Sequence, residues 1–329
     1  MKFLIAGLGS IGRRHLQNLL ALGEKDILLY RTHKGTLPDE ELASFPTETD
    51  LSAALDHHPE AVVVANPTAL HMDVALPAAR AGCHLLIEKP VAKKWGNALE
   101  NLSQLTKERS IKTLVGFQFR FHPVLQQIKA ILDLGTLGRL YSFRIHWGEY
   151  LPGWHPWEDY RQSYAARRDL GGGVVNTLCH PLDYTRWLFG EVHALSAVTS
   201  QISELTLDVE DAAEITVTLE NGALGSIHLD YFQRPPAHWL SVNSEKGHID
   251  WDNETGYAKI YHAEDQRWEY LEPPEGFERN TLFLDEMHHF LNLIVGEAES
   301  RCSLADGIMA LKLTEAVHES NRTRQKIIV

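Results

Sequence analysis

Cysteine is scarce in this chain: Cys83, Cys179 and Cys302 are the only three in 329 residues. Thiols so far apart build no disulfide framework and none stands at Cys-x-x-Cys spacing, so a reduced, cytoplasmic setting is expected. Long apolar runs are missing as well. No stretch approaches the length of a membrane span, and residues 1–22 read as strand and helix rather than as a signal peptide. Basic charge is in deficit: the net charge is −13. Residues 1–118 hold 13 Lys and Arg against 13 Asp and Glu, which leaves 18 against 31 in the remainder. An acidic chain without a basic patch is a poor partner for nucleic acid or an anionic membrane. The 18 histidines, His57-His58 and His288-His289 among them, never fall at His-x-x-x-His spacing. No metal is therefore expected. Internal repeats and low-complexity tracts are lacking too.

What is present starts at the first residues. Lys2-Phe3-Leu4-Ile5-Ala6 is a short apolar run suited to a buried parallel strand. Gly7-Leu8-Gly9-Ser10-Ile11-Gly12 follows, and Ile11, Leu16, Leu19 and Leu20 then recur near helical spacing up to Gly23. Strand, glycine turn and helix together form the dinucleotide-binding fingerprint. Gly7 allows the turn, Gly9 lets the backbone approach a pyrophosphate, and Gly12 lets helix and strand pack closely. The helix N-terminus, with Ser10 and Ile11, supplies N–H groups and a positive dipole end.

The next strand, Asp26–Tyr30, bears on which dinucleotide binds. An NAD site usually carries an acid about 20 residues beyond the glycines, gripping the ribose 2′-OH. Here the strand ends in Tyr30-Arg31-Thr32-His33-Lys34, with no acid between Asp26 and Asp39. A cation and a hydroxyl, Arg31 and Thr32, suit a 2′-phosphate, so NADP is favoured, with NAD as the alternative. Solvated loop charges are the plainer reading of Arg31 and Lys34.

Further along, Ala61–Ala65, His84–Ile87 and Thr113–Gly116 read as strands, separated by helices at about His71–Ala81 and Trp95–Arg109. This alternation predicts a doubly wound parallel sheet with its ligand at the strand C-termini. Asn66-Pro67-Thr68, Glu88-Lys89-Pro90 and Gln118-Phe119-Arg120 all sit at such ends. Beyond residue 120 comes a helix over Phe121–Leu134. Period-2 strands follow, such as Tyr141–Trp147, and so does a hairpin at Asn221-Gly222. Helices at about Thr281–Val295 and Leu304–Asn321 close the chain.

With these motifs the sequence resembles the Gfo/Idh/MocA family of NAD(P)-dependent oxidoreductases. The resemblance rests on Gly7–Gly12, on Asn66-Pro67-Thr68 with His71, and on Glu88-Lys89-Pro90. It extends to Gly171-Gly172-Gly173 with His180 and Asp183. It implies an α/β chain: a Rossmann domain over residues 1–118, then an α+β domain over 119–329 with a large open antiparallel sheet. The last helix would pack back on the first domain, and one sheet face would join a homodimer or homotetramer. The implied reaction passes a hydride between the nicotinamide and a sugar, cyclitol or nucleotide-sugar hydroxyl or carbonyl. The implied cofactor residues are Gly7, Gly9, Ser10, Ile11, Gly12, Arg31, Thr32, Asn66, Pro67, His71, Glu88, Lys89 and Gln118.

Lys89 is the first candidate for chemistry. Beside a cationic ring its ammonium can polarise a substrate oxygen, and partial burial would let it relay a proton. A surface lysine paired with Glu88 is the alternative. His180 is the second candidate, a natural proton shuttle near neutral pH. Helical spacing places Asn176, His180 and Asp183 on one face. Many family members carry Asp where this chain has Asn176, which cannot stabilise an imidazolium by charge. Around Trp154–Arg161, flat aromatic faces and the donors Tyr160, Arg161, Arg167 and Arg168 suit a sugar ring or a carboxylate. Arg120 resembles a family position that faces the substrate. Two other readings stay open: a dinucleotide-binding sensor or scaffold without turnover, and a redox-neutral enzyme with tightly held cofactor.

Overall fold

Buried apolar runs of four or five residues, too short for helices, set the architecture of the first part of the chain. The computed structural model describes residues 1–32, 37 and 40–329; His33 and Lys34 lie outside the described residues. Its strands are β1 (Lys2–Ala6), β2 (Asp26–Tyr30), β3 (Thr47–Glu48), β4 (Ala61–Val64), β5 (His84–Ile87) and β6 (Thr113–Val115). They form one six-stranded parallel sheet in the order β3-β2-β1-β4-β5-β6. Its connecting helices are α1 (Ser10–Ala21), α2 (Leu51–Asp56), α3 (His71–Arg80) and α4 (Asn97–Glu108). The order reverses between β1 and β4, which is where ligands bind in open α/β sheets.

The second part is built on longer, alternating strands. Helices α5 (Pro123–Asp133), α6 (Val174–Thr177) and α7 (His180–Phe189) accompany strands β7 (Leu140–Tyr150), β8 (Val192–Ser200), β9 (Ala212–Leu219) and β10 (Leu224–Asp230). Strands β11 (Phe232–Ser244), β12 (Gly247–Asp252), β13 (Ala258–His262) and β14 (Arg267–Leu271) follow. After them come α8 (Arg279–Ile294), α9 (Leu304–Thr323) and β15 (Ile327–Ile328). The nine-stranded sheet runs β14-β13-β12-β11-β7-β10-β9-β8-β15. It is antiparallel apart from the parallel pair β7 and β10. One face buries Phe143, Ile145, Ile215, Val217, Ile227 and Leu240, the inward set of a period-2 pattern. The Asn221-Gly222 turn does join the antiparallel hairpin β9–β10.

The chain divides into two compact units: residues 1–118 with 169–171 and 279–311, and residues 119–168 with 172–278 and 312–329. Residues 279–311, assigned from the sequence to the second domain, thus group with the first. Helix α8 explains why: Asn280 donates to Asn18 of α1 at 3.0 Å, and Arg14 stacks 4.5 Å from the Phe283 ring. No helix among the described residues is long and apolar enough to cross a membrane.

Candidate active site

In the first unit the glycine turn is built as the sequence implies. Gly7 has φ +94°, and its N–H donates to the Tyr30 carbonyl, tying the turn to the end of β2. A Cβ on Gly12 would strike the Gly7 carbonyl oxygen, so only glycine permits this approach of helix to strand. Gly9 is different: a Cβ there would meet nothing within 4 Å. It stands as N-cap of α1 with no side-chain cap and no acid in the first turn. The first-turn N–H groups thus have neither a side-chain cap nor an acid of their own, the condition under which a helix start receives an anion. A dinucleotide pyrophosphate fits this cradle. Arg31 is half-buried, its N–H donating to the Glu48 carbonyl, and Thr32 is exposed.

Asn66, Pro67 and His71 form one tight turn after β4. The Asn66 amide donates to the Leu70 carbonyl at 2.9 Å, and His71 Nε2 donates to the Asn66 carbonyl at 2.9 Å. Burial holds the His71 pKa below its usual value, consistent with a neutral ring in that role. Glu88 stands at the end of β5, fixed by its own N–H to the Val64 carbonyl. His15 Nε2 lies 2.7 Å from Glu88 Oε1, and the Lys89 N–H donates to Oε2 at 3.3 Å. Burial opposes the Glu88 charge, but His15 and the Lys89 ammonium hold its pKa below the ordinary value. The Lys89-Pro90 peptide is cis. Glu88 is thus engaged by a buried histidine, which no local spacing could reveal. Gln118, also buried, closes this unit's first segment.

The second unit gathers a different set. His180 opens α7, 2% exposed, with Phe119 at 5.2 Å edge-on and Trp147 at 5.5 Å between ring centroids. His238 stacks on Trp147 at 4.2 Å, and its Nε2 lies 3.1 Å from the Tyr184 hydroxyl. Burial, then His122 and His146, push the His238 pKa well below normal. The sequence marks Phe119 as a strand-end residue and Trp147 as part of an alternating strand, but ties neither to His180.

Asn176, His180 and Asp183 do not share one helical face. The helix breaks between α6 and α7, where Pro181 has no N–H to give the Thr177 carbonyl and sits instead in the first turn of α7. Asn176 stays on α6 and donates its amide to the Gly172 carbonyl at 3.2 Å. Asp183 lies one turn along α7 from His180, and its two oxygens accept from Arg120 Nε and Nη2 at 2.9 and 2.7 Å. Arg120 is 5% and Asp183 1% exposed. This is a buried, bidentate ion pair.

The aromatic loop is more local than the sequence suggests. Arg161 is paired with Asp159 at 2.7 Å on the surface, and the Tyr160 hydroxyl accepts from the Thr206 N–H at 3.1 Å. Arg168 donates to the Asp208 carbonyl. Trp154 packs edge-on against Tyr231, while Trp157 is 70% exposed.

His146, His228 and Asp230 approach one another on neighbouring strands, and His15 of α1, Glu88 after β5 and Glu286 of α8 do so within the first unit. Such clusters come from register and long-range packing, so residue spacing cannot show them. The rings of His146 and His228 stack at 4.5 Å and 15°.

A parallel sheet with a glycine cradle at its switch point, followed by a large open sheet, is the architecture of a Rossmann domain joined to an α+β domain. The chain belongs to the Gfo/Idh/MocA family: residues 1–117 match the oxidoreductase family with NAD-binding Rossmann fold, and residues 125–250 match the GFO/IDH/MocA C-terminal domain. An uncharacterized oxidoreductase of Synechocystis is 29% identical over 69% of this chain and 65% of its own length. Myo-inositol 2-dehydrogenase of Thermotoga maritima is 27% identical over 99% of this chain and 98% of its own. Among solved structures, levoglucosan dehydrogenase in complex with NADH and levoglucosan superposes with a TM-score of 0.87. It is 21% identical and covers 100% of this chain and 99% of that one.

Proposed function

We propose that the protein is an NADP-preferring dehydrogenase of a sugar or cyclitol, removing a hydride and a proton from a CH–OH group or returning them. The observation that carries this is the fixing of Lys89 at the end of β5 by Glu88 and His15. A nicotinamide bound to the first unit supplies the hydride acceptor or donor. Lys89 hydrogen-bonds the substrate oxygen and disperses its developing charge. His180 exchanges the hydroxyl proton, its ring confined by Phe119 and Trp147. The acid-free end of β2, with Arg31 and Thr32, supports the 2′-phosphate preference. The sugars and cyclitols named for its relatives support the substrate class. A homo-oligomer through the sheet face opposite the core, and a cytoplasmic setting for three buried free cysteines, belong to the same reading.

The test is turnover. Purified protein is offered a panel of aldoses, anhydrosugars, inositols and nucleotide sugars with NADP and NAD, followed by nicotinamide absorbance. Oxidation of at least one polyol class, faster with NADP, is expected. Tight cofactor binding without turnover on any of them would favour the sensor.

A further inference from the structure

Glu286 on α8 has no part in the hydride-transfer reading, yet it is wholly buried and neither carboxylate oxygen has a hydrogen-bond partner. It is not isolated. One of its oxygens, a Glu88 oxygen and a His15 ring nitrogen all lie within 4.8 Å of one another. Two carboxylates excluded from water in so small a space cannot both ionise cheaply, so one keeps a proton. The hydrogen bonds decide which. Glu88 faces the His15 ring and accepts from the Lys89 N–H, with the Lys89 ammonium nearby; Glu286 has none of these.

We propose that Glu286 is held as the neutral acid, and that its O–H, directed at Glu88 through the one-water gap between them, positions the Glu88-Lys89-Pro90 turn. The proposal rests on Lys89 acting in the reaction proposed above. Oxygens too far apart for a direct bond but within 4.8 Å are spaced for one bridging water, with His15 as a further polar wall. The electrostatics agree: burial, then the Glu88 charge, push Glu286 well above the ordinary carboxylate pKa. Other charges near the cluster are Arg14 on α1, which feels both Arg279 and Glu88, and the buried His71. Neither is hydrogen-bonded to Glu286. Glu286 is a positioning residue: it acts on Lys89 through Glu88 and touches no substrate.

A carboxyl whose pKa is raised on folding contributes stability that is present below its unfolded value and lost as pH climbs through the folded value. Glu286→Gln keeps a donor of the same shape but cannot ionise, so it should flatten that decline above the ordinary carboxylate range. Glu286→Leu removes the donor; displacement of Lys89 should lower kcat by about 10²-fold, as for reacting groups misplaced by an ångström. Dinucleotide Kd should change far less than kcat, since the glycine cradle is untouched, and Glu286→Gln should restore most of kcat.

The decisive measurement is the infrared difference spectrum of the full chain, wild type minus Glu286→Gln, at neutral pH without substrate. A protonated-carboxyl C=O band belonging to the wild type is expected, persisting into alkaline buffer. This readout needs no turnover and no folded Leu variant, so it stands even if the dehydrogenase reading fails. Absence of the band overturns the proposal. So does a stoichiometric divalent metal found in purified wild type and lost from Glu286→Gln, because a cation would then neutralise the pair. A Gln variant as impaired in kcat as the Leu variant overturns the positioning role.

Discussion

Removing the Asp183 charge should unfold the second unit more readily, whatever the substrate. The Arg120 guanidinium makes two hydrogen bonds to this carboxylate, at 2.9 and 2.7 Å, and both side chains are nearly inaccessible. In Asp183→Asn the shape is conserved, but a buried cation faces a neutral amide. Breaking a buried pair in this way costs about 3–5 kcal/mol, mostly as the uncompensated charge left behind. For a unit of 150–250 residues each kcal/mol moves the melting temperature by about 2–4 °C, giving a drop of about 6–20 °C. Calorimetry on the full chain measures it. The double variant Arg120→Met with Asp183→Leu removes both charges together and should recover most of the loss, since apolar replacement of a buried pair is often neutral. The competing view takes Arg120 and Asp183 as substrate contacts, so that their loss acts on KM and not on stability. A change within about 0.5 kcal/mol for Asp183→Asn, the range of ordinary surface substitutions, would refute the structural argument.

Four further outcomes are expected. Arg31→Ala should narrow the gap between NADPH and NADH affinities by about 1–3 kcal/mol, the worth of a charged hydrogen bond, as titration calorimetry would show; equal affinities in the wild type would remove the 2′-phosphate role. Lys89→Met should keep cofactor binding and lose about 10²–10⁴-fold in kcat, the range of acid–base contributions, and unchanged turnover would take Lys89 out of the mechanism. His180→Asn should abolish one limb of the pH profile of kcat/KM, and a limb that persists belongs to another group. His122, whose Nδ1 accepts the Val124 and Leu125 N–H groups at the start of α5, is pushed down to about 4 by burial. Its contribution to stability is present above its usual value and is lost as pH falls through the folded value. Melting curves of His122→Asn, which keeps a capping acceptor, should therefore be flatter between pH 6.5 and 4.

How much of this was legible beforehand depended on chain distance. Gly7 to Gly12 and Glu88-Lys89-Pro90 are contiguous, and each sits at a strand end that apolar runs already marked. The pairing of His15 with Glu88 spans 73 residues, and that of Arg120 with Asp183 spans 63. No periodicity brings such residues together; only the folded chain does. The grouping of α8 with the first unit was hidden for the same reason, since the Asn280–Asn18 bond and the Arg14–Phe283 contact leave no local trace. The broken helix at residue 178 has a local origin instead. Its cause, Pro181, is visible in the sequence itself, because a proline there withholds the N–H that a continuous helix would need.

The nine-stranded sheet separates what patterning can and cannot decide. Alternation in Tyr141–Trp147 says correctly that Phe143 and Ile145 face inward and that Arg144 and His146 face the other way. It does not say who stands beside His146. The register sets His146 against His228 on β10 and Trp239 on β11, and His228 against Glu214 on β9. A slip of two residues would preserve every inward side chain and replace each of those neighbours. The burial pattern is thus insensitive to the change that would dismantle the cluster. Asp230 and Glu214 raise the His228 pKa by hydrogen-bonding its ring; Asp230 stands two residues along the same strand, whereas Glu214 on β9 is placed there by register. The glycine cradle escapes this ambiguity because its binding groups are backbone N–H donors at a helix start, fixed by the order of residues along one segment. Sites built from consecutive backbone can be read from a sequence; sites built from side chains on neighbouring strands need the register first.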